Sequence, residues 1–440
     1  MSGMTRREFM VASGAVAVAL PATTVLGTSR KKQPNLLFVM TDQQSFDMIG
    51  SVSAQVQTPV LDALAKQGVR FDHAVSNQPV CTPFRGMLYS GQHPLYNGCV
   101  TNDVPLLPNT SDRFAHVLGR AGYETAYVGK WHLYGGGTRN TGIPKGPNRQ
   151  GFDETFLTNN CHVDYRPDAC YYWDDDNNKH FFKDVYPDKP WELEAQTRQA
   201  EAWFGRRDRN KPFALFVSWH PPHDYGSDGC PDIPGRQFNY DVNALDPKLL
   251  KPYEGRDIRL RPGSPVDEPM TACRENQYRH YMAMVTACDS GVGRLIDQLK
   301  KQGVYDNTLI VFTSDHGDML GSHGAQKPKQ YPQDYSLRIP LIMHWPGRLP
   351  AGRTSELLVG AMDMMPTILG LMDLPIPASV QGADLSKAIM GGGRCGGRKR
   401  ADLHVSRAWC LARDLYQGLD LCPWRGRRHR AFGGGDQCPL

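Results

Sequence analysis

The sequence predicts an α/β fold built on a large, mainly parallel sheet with helices on its faces. Three observations predict it. Apolar runs of strand length recur at residues 35–40, 125–128, 212–218, 308–313 and 339–344. Segments of helical periodicity separate them, which is the alternation of a parallel sheet. Polar residues with chemical potential follow four of the runs directly, where open α/β sheets place their sites.

At 440 residues with 40% hydrophobic content, the chain can bury a sizeable core. Its net charge of +5 is scattered until the tail, so the sequence predicts no nucleic-acid partner. Residues 1–29 read as a targeting segment. Thr5-Arg6-Arg7-Glu8-Phe9-Met10 resembles a twin-arginine export motif, and the apolar stretch behind it is broken by Gly14 and Pro21. The expectation is export through the twin-arginine translocase to a periplasmic or secreted location. Eleven cysteines are an odd number for such a protein, and none shows C-x-x-C spacing, which argues against a zinc site. Cys161 and Cys170 are candidates for a bridge.

The elements follow in order from residue 33, where a domain to residue 390 is expected. Residues 35–40 form a buried strand ending in Thr41-Asp42-Gln43-Gln44. Thr58 is placed to cap a helix, with Pro59 at its first position and Gly68 past its end. A short strand at 69–71 leads to Cys81-Thr82-Pro83-Phe84-Arg85. Pro83 suits a first helical turn, where its missing N–H has no partner to lose. Cys81 then sits at the positive end of a helix, and Arg85 adds a cation with bidentate reach. In isolation, this pentapeptide is better read as a buried cysteine before a helix, and only its surroundings reverse that reading.

Ser111 can cap the next helix, and the strand at 125–128 ends in Gly129-Lys130-Trp131-His132. Residues 133–190 lack periodicity and read as long surface loops. Within them Tyr165, Tyr171, Tyr172 and Trp173 adjoin Asp174, Asp175 and Asp176, readable as a sugar-stacking rim or as ordinary loop packing. A helix at 191–204 precedes the strand at 212–218, which ends in Trp219-His220-Pro221-Pro222-His223. A long helix spans 275–301. The strand at 308–313 ends in Ser314-Asp315-His316-Gly317-Asp318.

Asp42, Gln43, Asp315 and His316 are oxygen and nitrogen donors at two strand ends, suited to a hard divalent cation. Lys130 and His132 lie two apart, so in extended backbone they face one way and can address one anion. Each of these residues alone would also fit a turn or a solvated loop.

Together they resemble the type I, formylglycine-dependent sulfatases of the alkaline-phosphatase-like superfamily. Cys81 to Arg85 is similar to the C-x-P-S-R signature, with Phe84 in place of serine. The resemblance extends over residues 35–390. It includes the two metal-binding strand ends, the Lys-x-His pair, and a segment with Asp363, Pro366 and Thr367 that closes on Gln381-Gly382-Ala383-Asp384-Leu385. Gln43 and His316 look like the choline-sulfatase and phosphonate-hydrolase branch.

The resemblance implies an alkaline-phosphatase-like sandwich and a sulfuric ester hydrolase of the arylsulfatase type. It implies Cys81 oxidised to formylglycine by a maturase. It also implies a divalent metal on Asp42, Gln43, Asp315, His316 and residue 81, calcium first, with manganese or magnesium as alternatives. Arg85, Lys130 and Lys329 would hold the nucleophile and the sulfate, with Lys327 a competitor for the last position. His223 would serve the leaving group, and His132 would act as base when the covalent sulfate collapses. The substrate would be a sulfated small molecule or glycan fragment. Alternatives are a phosphonate or phosphate monoester hydrolase on the same scaffold, or an inactive sulfatase-like protein.

From residue 391 to 440 the composition changes to Arg, Gly, Cys and Trp without apolar period. The small C-terminal domain usual in the family is not recognisable there, and the expectation is an unstructured basic tail.

Overall fold

The computed structural model describes residues 32–108, 112–135, 140–161, 165, 168–188, 191–223, 247–264, 268–324 and 327–391, with only the backbone for 268–272. The expected export segment, the cap at Ser111 and the tail from residue 392 lie outside them.

The strands are β1 (Asn35–Thr41), β2 (Val69–Val75), β3 (Glu124–Lys130), β4 (Thr155–Asn159), β5 (Tyr171–Trp173), β6 (Lys179–Phe181), β7 (Phe213–Ser218), β8 (Thr308–Ser314), β9 (Leu341–His344) and β10 (Arg353–Gly360). They form one sheet in the order β10-β2-β9-β8-β1-β7-β3-β4-β5-β6. The central block β8-β1-β7-β3-β4 is parallel throughout. β9 runs antiparallel to both β2 and β8, and β5 and β6 form an antiparallel edge. The mainly parallel sheet expected from the sequence is therefore present, in the mixed form common for large sheets.

Alternation along the strands builds two cores. Leu36, Phe38 and Met40 of β1 join Ala214 and Phe216 of β7 and Leu309 and Val311 of β8 on one face. Leu37, Val39, Leu215, Val217, Ile310 and Phe312 face the other way. The helices Cys81–Ser90 and Ala361–Leu371 cover the first face, through Met87, Leu88, Met364 and Ile368 among others. The helices Glu192–Arg206 and Glu268–Lys301 cover the second through Trp203, Phe204, Tyr281, Met282 and Val285. A period of two in the strands and 3.6 in the helices is all this layering requires.

Several local expectations need correction. Residues 133–190 are not only surface loop. β4 lies there, fully buried and parallel to β3, and β5 and β6 extend the edge. Of the two readings of the aromatic cluster, ordinary packing holds for Tyr165 and Tyr171, which are buried. Asp174 is spent on the backbone N–H groups of Asp176 and Asn178 and on His180 Nε2 at 2.8 Å. Cys161 and Cys170 do not form the bridge. Thr58 occupies the cap position of the Pro59–Gln67 helix but makes no side-chain cap bond. Asp289, from the long helix, accepts instead from the N–H groups of Val60 and Leu61, at 3.2 and 2.7 Å. A cap supplied by tertiary contact leaves no local sequence signal.

The crossing of β3 and β7 depends on Gly129. Its φ is +110°, and a Cβ there would lie 2.0 Å from Ser218 O. Gly129→Ala is expected to destabilise the protein by about 1–3 kcal/mol through overpacking and to displace neighbouring Lys130. Urea unfolding measured alongside kcat checks this: both should fall. An unchanged denaturation midpoint would refute the close-approach argument.

Candidate active site

The parallel strands β1, β3, β7 and β8 all end at one edge, and each delivers polar residues there: Asp42, Lys130, Ser218 and Asp315-His316 in turn. The Cys81–Ser90 helix begins over that edge, with Cys81 as its first residue. Pro83 is the third residue, still within the turn whose N–H groups lack intrahelical acceptors. The side chain of Asn102 satisfies one of these, accepting from the N–H of Thr82 at 3.0 Å. Phe84, where serine was expected, is fully buried in the first core with Met87 and Leu88.

The backbone turns sharply beyond these strand ends. Gln43, His132 and Gln330 all have positive φ, at 66°, 55° and 72°. Each such turn in a non-glycine residue costs on the order of 1–3 kcal/mol and is kept where surrounding packing imposes it.

Arg85 is the buried hub. Its Nε and Nη2 donate to Asp315 Oδ2 at 3.2 and 3.0 Å, and Nη2 approaches Asp42 Oδ2 at 3.4 Å. Nη1 donates to Lys130 O and Ser218 Oγ, both at 2.8 Å. Lys130 Nζ pairs with Asp42 Oδ2 in a close contact. Burial opposes charge on Arg85 and Lys130, but the carboxylates of Asp315 and Asp42 outweigh it and hold both firmly protonated. Burial also opposes charge on Asp42, yet Lys130 and its other cationic neighbours keep its carboxyl well below the usual range.

This hub occupies the Oδ2 atoms and turns the Oδ1 atoms elsewhere. Asp42 Oδ1 lies 3.7 Å from Cys81 Sγ and 3.4 Å from His316 Nε2. Asp315 Oδ1 lies 3.6 Å from the same nitrogen. His316 Nδ1 is 2.9 Å from Gly317 O, a donor contact that turns Nε2 toward the carboxylate Oδ1 atoms. Donor atoms of Asp42, Cys81, Asp315 and His316 lie within 4.8 Å of one another, all buried. Two carboxylate oxygens and an imidazole nitrogen converging on one point fit a divalent cation. Gln43 borders this group. Its backbone N–H donates to Asp315 Oδ1 at 3.1 Å, and its amide nitrogen to Asp318 Oδ2 at 2.9 Å.

Cations ring the sulfur of Cys81. Lys329 Nζ is 3.3 Å away and Lys130 Nζ 3.5 Å. Burial pushes the Cys81 thiol up, but Lys130, Lys329 and His316 together bring it well below its usual value. Lys329 is the lysine at the site, not exposed Lys327, and its Nζ also lies 2.9 Å from His223 Nε2. His223 is held in place by Tyr165, whose hydroxyl donates to His223 O at 2.8 Å.

His132 stands beside this group with Nε2 at 3.1 Å from Asp103 Oδ1. Burial lowers its pKa, but the Cys161 and Asp103 side chains raise it to about 10. Asp103, Ser218, Asp318 and the Cys161 thiol belong to the site although the sequence did not single them out. Only Asp318 carried a signal, as the last residue of Asp315-His316-Gly317-Asp318.

The family model described as Sulfatase matches residues 34–374. An ulvan-active sulfatase of Formosa agariphila is 32% identical over 371 residues, covering 83% of this chain and 67% of that protein. An N-acetylglucosamine-6-O-sulfatase of Bacteroides thetaiotaomicron is 27% identical over 425 residues, covering 82% and 72%. The solved structure of yidJ from Bacteroides fragilis, assigned as a sulfatase, superposes with a TM-score of 0.71 at 30% identity, covering 86% of this chain and 82% of that one. The fold is thus the alkaline-phosphatase-like one that the sequence motifs implied. With its sheet edge, its Cys81 helix and the matched residues in agreement, the chain belongs to the sulfatase family and is a sulfuric ester hydrolase.

Proposed function

We propose that this chain is an exported glycan sulfatase that works through Cys81 converted to formylglycine, with a divalent cation held beside it. One observation carries the reading: Cys81 Sγ lies 3.7 Å from Asp42 Oδ1 and 3.3 Å from His316 Nε2, in one buried cluster with Asp315, and has Lys329 and Lys130 at 3.3 and 3.5 Å. Asp42, Asp315 and His316, with Gln43 adjoining, would hold the cation, and calcium is the proposed ion because carboxylate oxygens dominate the set. When bound, the cation supplies Lewis-acid polarisation of a sulfate oxygen, and the converted residue 81 supplies a hydroxyl nucleophile.

The remaining work falls to this chain's own side chains. Lys130 and Lys329 flank the reacting position and neutralise charge on the non-bridging oxygens of the ester. Arg85 orients both carboxylates and cannot lose its proton. His223, against Lys329, is proposed to deliver a proton to the departing alcohol. His132 is held as an imidazolium between Asp103 and Cys161, which suits it first to attract a sulfate oxygen. It would take up a proton only after giving one away. The glycan substrate class is supported by the names of the ulvan and N-acetylglucosamine relatives, and export by the Arg6-Arg7 segment.

The test uses protein expressed with a formylglycine-generating maturase. Sulfated sugars and an aryl sulfate should be turned over in preference to an aryl phosphonate. A chelator should abolish turnover, and calcium should restore it. The peptide containing residue 81 should carry the mass of formylglycine. An unmodified thiol together with chelator-resistant turnover would overturn the reading.

A further inference from the structure

A second thiol lies inside the active-site wall. Among the described residues the free cysteines are Cys81, Cys99, Cys161, Cys170 and Cys288, and Cys161 is the one that is not buried from solvent. It follows β4, beside the end of β3. Two imidazoles from different strands border it. His132 comes from the end of β3 with Nε2 tied to Asp103. His220 follows β7 with Nδ1 tied to Glu192 Oε1 at 2.7 Å.

Both rings are more than nine-tenths buried. Their other nitrogens, His132 Nδ1 and His220 Nε2, take no well-formed hydrogen bond. Both rings instead lie against the Cys161 thiol, with Lys130 adding a positive charge. A buried polar atom without a partner is costly. Two such nitrogens around one sulfur are explained when that sulfur carries a negative charge or gains a polar atom. Burial raises the Cys161 pKa, but Lys130 and the two histidines bring it well below the usual thiol range. Burial instead pushes Cys99 up to about 12 and Cys288 well above its usual value, so neither competes as a nucleophile.

We propose that Cys161 is an oxidant-sensitive control thiol: a hydroperoxide converts it to a sulfenic acid, and the added oxygen engages His132 and stops sulfate hydrolysis. The proposal rests on the functional reading above only for the inhibition, not for the thiol chemistry. The Cys161 sulfur attacks the peroxide, forming an S–O bond as the O–O bond breaks. Sulfur is oxidised by two electrons and the peroxide is reduced. The departing hydroxide takes a proton, from the His132 imidazolium or from solvent, to leave as water. A thiol reductant reverses the change. His132 links the two halves, because it borders both Cys161 and Cys81.

The experiment treats the matured enzyme with hydrogen peroxide, then with dimedone, a reagent for sulfenic acids. The dimedone mass should appear on the Cys161 peptide. In a separate sample treated with peroxide but not dimedone, turnover should fall by roughly tenfold or more and return with dithiothreitol. Cys161→Ser keeps a small hydroxyl against both rings. Its turnover, whatever the level before treatment, should withstand peroxide. Labelling at another cysteine, or equal peroxide loss in Cys161→Ser, overturns the proposal. Should the variant fail to fold, labelling of the parent protein still decides. Labelling also decides if no sulfate ester is hydrolysed at all, because it reads thiol chemistry and not turnover.

Discussion

Replacing Cys81 by alanine is expected to lower kcat for an aryl sulfate by at least about 10³-fold, with little change in fold. The magnitude follows from losing the proposed nucleophile, which leaves a residual rate from binding and electrostatics alone. Sulfate binding should persist, because Lys130 and Lys329 remain in place around the vacated position. The signature is therefore a loss in kcat with a nearly constant KM. Cys99→Ala is the control. That thiol is buried in the first core beside the same helix, with its sulfur a long 4.0 Å from Val104 O. It should leave kcat unchanged. A Cys81→Ala enzyme within tenfold of the parent would remove residue 81 from the chemistry.

The second large effect is on Arg85. Arg85→Met keeps the length of the side chain but strips charge from a fully buried site. Asp315 and Asp42 then face each other without their shared guanidinium, and Ser218 Oγ and Lys130 O lose a donor. Removing one partner of a buried ion pair costs about 3–5 kcal/mol, because the uncompensated charge stays behind. A loss of that size should appear in urea unfolding, together with loss of turnover. Saturating calcium should recover part of the stability, since a ligand that binds only the folded protein shifts the equilibrium by mass action. Arg85→Lys should be intermediate in stability, because one ammonium cannot span four acceptors. An Arg85→Met protein as stable as the parent would mean that the two carboxylates do not share one buried field.

The two effects differ in kind although the residues are four apart on one helix. Cys81 points across the sheet edge at the reaction position. Arg85, one turn later, points beneath it and ties the strand ends together. Spacing in the sequence suggested a cysteine and a cation facing one anion. The coordinates instead give Arg85 a structural partner set, and the cations nearest Sγ are Lys329 and Lys130.

Phe84 shows a similar division. As a departure from the family signature it left the motif incomplete on paper. In the fold its position faces the first core, where an aromatic ring packs with Met87 and Leu88 without approaching the donor cluster. His132 is the converse. The Lys-x-His spacing made it visible, but its protonation depends on Asp103 and Cys161, which lie 29 residues away in each direction along the chain. No short motif can encode such a pairing.

The strand-helix alternation and the polar residues after each apolar run were legible because both are local consequences of side-chain period and chain punctuation. β4 and β5 were not, since a short strand among Asn, Asp and Gly residues is defined by the neighbour it pairs with. The sequence by itself determined the sheet, the edge at which chemistry would gather, and the residue types brought to it. Tertiary structure alone decided which oxygen of each carboxylate meets a cation and which faces Cys81, and that two histidines would border Cys161. Those choices are made by charges buried together from distant segments, whose energies exist only once water has been excluded between them.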